Sequence, residues 1–225
     1  MLQLLREERG FRWLLAARTV SGLGDWFTYF LMVVLAYERT GQPAGSMVIL
    51  AAQAIATLLF SAWAGPLVDR RPPAVVMVMA NVARMGLVGL LFWMPVSPLL
   101  YSADAFAVAT AAAFVNPADG KWVRTLLSPE RYGSGIALLQ VLGQVVQIVG
   151  PGLAVTVLAL LEPRPRGGFL LDSISFLLAA CLVWRSYRVT ARRPGLVGKS
   201  PTPPDRAAPA PPKRLTRQWA ELLPP

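Results

Sequence analysis

The 225-residue sequence has no histidine and one cysteine, and charged residues make up only 15% of it, against roughly 25% in an average soluble domain. Without histidine, Ser-His-Asp relays, Cys-His nucleophiles and the usual zinc sites are excluded. The single thiol, Cys181, cannot form an internal disulfide. These absences exclude several enzyme classes but not all of them. We predict that the chain holds neither a metal nor another cofactor and, taken with the resemblance described below, that it is not an enzyme.

Long uncharged runs take the place of alternating polar and apolar residues. Three of them, 40–68, 85–103 and 132–161, contain 29, 19 and 30 residues without a formal charge. A helix of about 20 apolar residues crosses the hydrocarbon core of a bilayer. The sequence therefore predicts an all-α membrane protein in contact with the lipid bilayer, with six transmembrane helices at about residues 11–37, 46–68, 74–94, 99–118, 133–161 and 168–184.

The net charge is +10, and the positions of the basic residues indicate the membrane topology. Seventeen of the 22 Lys and Arg residues fall on one side of the predicted bundle and three on the other. Cytoplasmic segments carry the excess of Lys and Arg, so both termini are predicted to be cytoplasmic. Nucleic-acid binding is then not needed to explain the charge, and none is predicted. Residues 1–193 form the predicted bundle, and the proline-rich residues 194–225 a flexible cytoplasmic linker.

Two ionisable residues fall at mid-membrane depth. Asp25 is the fifteenth residue of a 27-residue predicted span, and Arg84 is the eleventh of a 21-residue span. A charge at a helix centre costs roughly 2.5 to 3.5 kcal/mol and usually faces protein or a water-filled cavity. We predict that the two side chains meet inside the bundle. The pair is either a structural ion pair between the first and third helices or a proton or substrate site.

Two helices carry polar stripes. In the first, Arg18, Asp25 and Tyr29 share one face, and in the fifth, Gln140, Gln144 and Gln147 recur at steps of three and four. Amides in a bilayer need hydrogen-bond partners, so this glutamine face either joins helices or lines a substrate path.

The residues around Asp25 also resemble the signature of a class of membrane enzyme. The stretch 22–25 reads Gly-Leu-Gly-Asp, which is similar to the signature of intramembrane aspartyl proteases. Such an enzyme needs a second aspartate across the cleft. The remaining candidates, Asp104, Asp119 and Asp172, fall toward the ends of the predicted helices, which disfavours a protease.

Four stretches point to one family. The loop Gly65-Pro66-Leu67-Val68-Asp69-Arg70-Arg71 combines a glycine that permits close helix approach with charges at the cytoplasmic mouth. It resembles the motif between the second and third helices of the major facilitator superfamily. Residues 18–25 look like the R-x-x-S-x-x-G-D opening of its proton-coupled siderophore and multidrug exporters, Gly150-Pro151-Gly152 resembles the core of its antiporter motif, and residues 172–177 look like the start of its sixth helix.

This resemblance implies the N-terminal six-helix half of a twelve-helix permease, built as two inverted three-helix repeats. It implies proton-coupled export of a small amphipathic substrate across a bacterial inner membrane, with a second six-helix half or a second copy of the chain as partner. Asp25 and Arg84 are then the coupling residues, and Asn81, Tyr29 and the glutamine face line the path. Gly65, Asp69, Arg70 and Arg71, with Gly150 and Pro151, form the gate. The alternative is a truncated or non-transporting membrane protein that binds a partner chain.

Overall fold

The structure, a computed structural model, describes residues 7–161 and 165–192. Within these ranges it contains seven helices and no strand. The helices are α1 (Arg9–Thr40), α2 (Pro43–Asp69), α3 (Pro73–Leu91), α4 (Pro98–Ala113), α5 (Val115–Leu126), α6 (Pro129–Leu160) and α7 (Gly167–Ala191). Because α4 and α5 follow each other with only Phe114 between them, the helices make six spans long and apolar enough to cross a membrane. The predicted all-α fold with six such helices is confirmed, while the predicted linker at 194–225 lies outside the described residues.

Two spans extend well beyond their predicted ends. The fourth continues from 118 to Leu126, and the sixth continues from 184 to Ala191. Hydropathy falls in both extensions, but helical periodicity does not, so the helix persists with a polar outer face. In α5 the buried side chains recur at helical spacing, and they are Val115, Ala118, Asp119, Trp122, Val123 and Leu126. Asp119 and Lys121, which lie beyond the predicted end of the fourth span, are therefore part of helix α5.

The helix ends follow from proline and glycine chemistry. Proline occupies the first turn of α2, α3, α4 and α6, where its missing N–H group is not needed and its fixed φ suits a helix. Gly41 ends α1 in the left-handed region, with φ of 64°, and its N–H donates to the carbonyl of Tyr37 at 2.8 Å. A side chain at Gly41 would strain this turn, which reverses the chain within two residues before α2 begins.

Apolar contacts lie toward the two ends of the bundle, with a polar layer between them. One cluster contains Phe11, Met77 and Trp122, and the other contains Leu31 and Tyr101. Helix α1 runs through both clusters, packed mainly on α7 and α6, while α3 packs on α7 and α2 on α4. The polar side chains of α1 between the clusters, Ser21, Asp25 and Thr28, therefore lie in the middle layer of the bundle.

The basic helix ends meet at one end of the bundle. The Ser186 hydroxyl near the end of α7 donates to the carbonyl of Gly10 at the start of α1, at 2.7 Å. Trp122 of α5 donates to the same hydroxyl at 3.1 Å. We call this end, with its ten described basic residues, the basic end, and they are Arg9, Arg12, Arg70, Arg71, Lys121, Arg124, Arg131, Arg185, Arg188 and Arg192. The other end carries Arg39 and Arg166.

Two glycines of α6 give a matched test of helix packing. A Cβ atom added at Gly150 would lie 2.8 Å from the Cβ and Cγ atoms of Trp26 on α1, whereas one added at Gly152 would meet nothing within 4 Å. We expect Gly150→Ala to destabilise the bundle by about 1 to 3 kcal/mol through overpacking. Gly152→Ala should be neutral or stabilise it by up to about 1 kcal/mol through helix propensity. Thermal unfolding of the two variants in detergent measures the difference, and equal midpoints would contradict the close approach at Trp26.

Candidate functional site

An ion pair joins α1 and α3 in the middle layer. The guanidinium of Arg84 contacts the carboxylate of Asp25, so the predicted meeting of these two side chains is confirmed. Arg84 is fully buried, whereas the side chain of Asp25 is 40% exposed. The guanidinium also lies over the ring of Phe176 from α7, 4.1 Å from its centroid. Arg84 is therefore enclosed by the bundle, and Asp25 is the member of the pair that faces outward.

The balance of charge at this pair depends on Asp25. Neither Nε nor Nη1 of Arg84 has a hydrogen-bond partner in the described part of the chain. A buried cation without compensation is expensive, and here the compensating contact comes from a carboxylate that solvent can reach. A proton or a cationic ligand arriving at Asp25 would change the contact that holds α1 to α3.

A second buried carboxylate, Asp172, joins α1 to α7. Its two oxygens accept hydrogen bonds from the hydroxyls of Thr28 and Ser175, the latter at 2.7 Å. The side chain is 2% exposed. A Cβ atom at Gly24 would overlap both the carboxylate and the Ser175 hydroxyl, so a side chain there would have to displace these two groups. The sequence analysis predicts only that Asp172 lies toward the start of the sixth span and does not predict this contact.

A groove of about 430 Å³ opens beside the ion pair between α1, α2 and α4. Its walls combine polar and apolar groups, namely Asp25, Trp26, Tyr29, Gln53, Thr57, Val108, Ala109 and Ala112. We call it the Asp25 groove. The rings of Trp26 and Tyr29 meet edge to face with centroids 5.9 Å apart. Tyr29 thus lies where the sequence predicted it, on the open side of α1 next to Asp25.

A larger groove of about 740 Å³ lies between α1, α5 and α6. We call it the Arg18 groove, because Arg18 forms an ion pair with Asp119 there at 2.8 Å and donates to Asn116 at 3.3 Å. Gln140 and Gln144 line its α6 wall. Gln147, one turn further along the same helix, is exposed.

A smaller pocket of about 160 Å³ lies between the two grooves, and its walls include both Arg18 and Asp25. Polar side chains therefore follow one face of α1 from Arg18 through Asp25 to Tyr29, a rise of roughly 16 Å at 1.5 Å per residue. The bundle presents this face between α2 and α6, which otherwise expose mostly apolar side chains.

Asn81 does not join the other predicted lining residues. Its side chain is 2% exposed, and its amide nitrogen donates to the carbonyl of Met77 at 2.8 Å within α3. Asn81 lies one turn before Arg84 on the same helix, and that turn is enclosed by the bundle.

The motif after α2 is organised by a residue of α5. The ammonium group of Lys121 donates to three carbonyls at the end of α2, those of Val68, Asp69 and Arg71, at 3.1, 2.9 and 3.2 Å. A cation suits the negative end of a helix dipole and satisfies its free carbonyls. The side chains of Asp69, Arg70 and Arg71 are exposed and form no ion pair with another described residue. The loop is thus fixed to the fourth span by Lys121.

The two Gly-Pro pairs differ in their surroundings. Pro66 and Pro151 both lie inside helices, near the ends of α2 and α6. Gly150 packs on Trp26, but no described atom lies within 4 Å of a Cβ atom placed at Gly65. Within the described chain no helix therefore approaches Gly65 closely, and its role in the gate stays a prediction.

Comparison with known proteins identifies the family. The sequence profile of the Major Facilitator Superfamily matches residues 14–223. An uncharacterized MFS-type transporter of Bacillus subtilis (strain 168), YfiS, is 22% identical over 207 residues, which are 91% of this chain and 48% of that protein. The chain thus spans about half the length of this curated relative. Six membrane-length helices are consistent with half of the superfamily fold. The chain belongs to the Major Facilitator Superfamily.

Proposed function

We propose that the chain is the N-terminal six-helix half of a permease that exports a small amphipathic molecule in exchange for protons. The observation that carries this proposal is the buried Arg84 whose counter-ion, Asp25, opens onto the Asp25 groove and onto a small pocket that it shares with Arg18. A structural ion pair would gain nothing from an exposed carboxylate. A coupling site requires one, because the proton must reach the group whose charge controls the helix contact.

The proposed coupling follows from the charges. When Asp25 is ionised, its contact with Arg84 holds α1 against α3. Protonation removes this attraction and takes away the ion-pair partner of the enclosed cation, which favours a different arrangement of the two helices. The ionised carboxylate beside Trp26 and Tyr29 also favours an amphipathic substrate with a positive charge, through ion pairing and cation–π contact.

A second six-helix bundle is part of the proposal. The side-chain amides of Gln53, Gln140 and Gln144 lie on exposed faces of α2 and α6. In lipid, polar groups without partners cost several kcal/mol each, so a second bundle is expected to cover them. The bundle is either a C-terminal half, consistent with the 48% coverage of YfiS, or a second copy of this chain.

The gate and the membrane orientation complete the proposal. By the positive-inside rule, the basic end faces the cytoplasm of a bacterial cell and the protein lies in the inner membrane. Gly65, Asp69, Arg70 and Arg71 form the cytoplasmic gate, held in place by Lys121. Gly150 and Pro151 allow α6 to move against Trp26 of α1.

Reconstitution tests the proposal directly. The purified chain is placed in liposomes with an imposed pH gradient and a fluorescent amphipathic cation, after its oligomeric state is fixed by crosslinking through an introduced cysteine. We expect gradient-driven transport from a dimer, or from the chain joined to a second six-helix chain, and none from a monomer. Asp25→Asn should abolish this transport, while Glu130→Gln, which removes an exposed carboxylate at the basic end, should not. Asp25-dependent transport by a monomer would overturn the half-transporter proposal, and transport that ignores the pH gradient would overturn the coupling.

A further inference from the structure

The last turns of α7 carry a groove that the proposed transport function does not use. Its volume is about 390 Å³, and its walls are Cys181, Trp184, Arg185, Arg188, Val189 and Arg192. These positions recur at steps of three and four, so they share one face of the helix. We call it the α7 groove. It lies at the basic end, on the outer side of the bundle.

Two of the three arginines in the α7 groove pack their guanidinium groups on aromatic rings. The guanidinium of Arg185 lies 4.2 Å from the ring centroid of Trp13 on α1, and that of Arg188 lies 5.6 Å from the centroid of Trp184. Trp184 in turn stacks on Tyr187 with centroids 5.4 Å apart. Stacking fixes the planes of the guanidinium groups and leaves their N–H groups free at the edges to donate.

The positive charge of this groove is not neutralised within the described chain. None of Arg185, Arg188 and Arg192 forms an ion pair with another residue in 7–161 or 165–192. Three guanidinium groups within eight residues repel each other unless an anion lies between them. The planar N–H edges suit the oxygens of a phosphate, which they bind in bidentate fashion.

Next to the arginines, the same helix face becomes apolar. Ile174, Leu177 and Leu178 are 61%, 46% and 48% exposed, and they precede Cys181 at helical spacing. The face is therefore apolar over the membrane-embedded turns and cationic at the end of the span, where phospholipid head groups lie. An aromatic residue, Trp184, lies between the two parts, as is usual at the membrane interface.

We infer that the α7 groove binds one anionic phospholipid, with the phosphate between Arg188 and Arg192 and an acyl chain along Leu178 and Cys181. A soluble phosphate would need the arginines but not the apolar strip, and the continuity of the two favours the lipid. Such a lipid would tie the end of α7 to the membrane surface independently of any substrate in the grooves of α1.

Cys181 offers a position-specific readout, since it is the chain's single cysteine and is exposed in the groove. The rate of maleimide labelling at Cys181 is measured for the 225-residue chain in detergent with phosphatidylglycerol or with phosphatidylcholine. We expect phosphatidylglycerol to protect the thiol and phosphatidylcholine to leave its rate unchanged. In the variant Arg188→Gln/Arg192→Gln, protection should need about 30-fold more phosphatidylglycerol. Equal protection by both lipids, or undiminished protection in the variant, would overturn the site.

Native mass spectrometry provides the control for charge alone. The variant Arg70→Gln/Arg71→Gln removes the same charge from the same end of the bundle but leaves the α7 groove intact. It should retain the tightest bound phosphatidylglycerol, which Arg188→Gln/Arg192→Gln should lose. Glycerol phosphate, which lacks acyl chains, should neither bind at comparable concentration nor protect Cys181. An equal loss of lipid in both double variants, or competition by glycerol phosphate, would contradict a lipid site in this groove.

Discussion

Asp25→Asn should unfold at a markedly lower temperature than the parent, whereas Arg84→Met should not. The amide keeps the shape of the carboxylate but removes its charge, and the fully buried Arg84 then loses its ion-pair partner. Breaking a buried pair in this way costs about 3 to 5 kcal/mol. For a chain of this size that corresponds to roughly 6 to 20 °C in the unfolding midpoint.

The asymmetry comes from the unequal burial of the two partners. In Arg84→Met the orphaned carboxylate is 40% exposed and stays solvated, and the methionine still packs on Phe176. We expect a loss of about 1 kcal/mol, as for a partly exposed pair. The double variant Asp25→Asn/Arg84→Met should recover most of the stability lost in Asp25→Asn, because the buried guanidinium that lost its ion-pair partner is then removed as well.

In the set of the two single variants and the double variant, stability and transport should respond differently. The thermal midpoint of each variant is read from tryptophan fluorescence in detergent, and transport is measured in the proteoliposome assay described above. If the pair is a coupling site, the double variant refolds to near the parent's stability but carries out no proton-driven transport. Recovered transport in the double variant would show that the pair only joins helices α1 and α3.

The meeting of Asp25 and Arg84 was predictable because both residues fall near the centre of an apolar run. An unpaired charge at that depth is so unfavourable that two opposite charges on nearby helices have few alternatives to each other. The exposed glutamines of α6 were predictable for a related reason, since three amides at helical spacing cannot all be packed against apolar neighbours.

The ion pair of Arg18 with Asp119 and the cap formed by Lys121 were missed for one shared cause. The predicted fourth span ends at residue 118, where charges begin, and therefore leaves Asp119 and Lys121 outside it. The helix continues there because apolar side chains still recur every three or four residues, and the charges project into the Arg18 groove and toward the end of α2. Periodicity, and not hydropathy, was the signal for this extension.

Asn81 shows that the sequence can place residues on one face of a helix without showing what that face contacts. Its position one turn before Arg84 correctly places the two on one face of α3, but that face packs into the bundle instead of lining a groove. Which face of a hydrophobic helix points at neighbouring helices depends on contacts distant in sequence. The contact of Asp172 with Thr28 is of the same kind, since 144 residues separate the two.

Asp172→Asn should be nearly as harmful to the fold as Asp25→Asn, but for a different reason. Both carboxylate oxygens of Asp172 accept hydrogen bonds from hydroxyl groups, one from Thr28 and one from Ser175. Asparagine replaces one of these oxygens with a donor, and hydrogen bonds to a charged group are worth about 1.5 to 3 kcal/mol each. We expect a loss of about 2 to 3 kcal/mol, seen as a lower midpoint of thermal unfolding.

A matched control comes from Asp104 on α4, which is also buried. Its Oδ2 atom has no hydrogen-bond partner within the described chain. Removing a charge that no donor stabilises should relieve a desolvation penalty, so Asp104→Asn is expected to be neutral or stabilising. A destabilisation equal to that of Asp172→Asn would mean that the two hydroxyl contacts of Asp172 contribute nothing.

The pH dependence of transport distinguishes the roles of the two aspartates of the middle layer. Asp172 is enclosed between α1 and α7 and 2% exposed, whereas Asp25 opens onto the Asp25 groove and the small pocket beside it. As a positioning residue, Asp172 holds α1 at Gly24 and Thr28, so Asp172→Asn should reduce the transport rate without changing how that rate responds to pH. Asp25→Asn should remove the response to the proton gradient itself. If Asp172→Asn instead shifts or abolishes the pH dependence, the proton site includes Asp172, and the coupling assigned to the pair of Asp25 and Arg84 is incomplete.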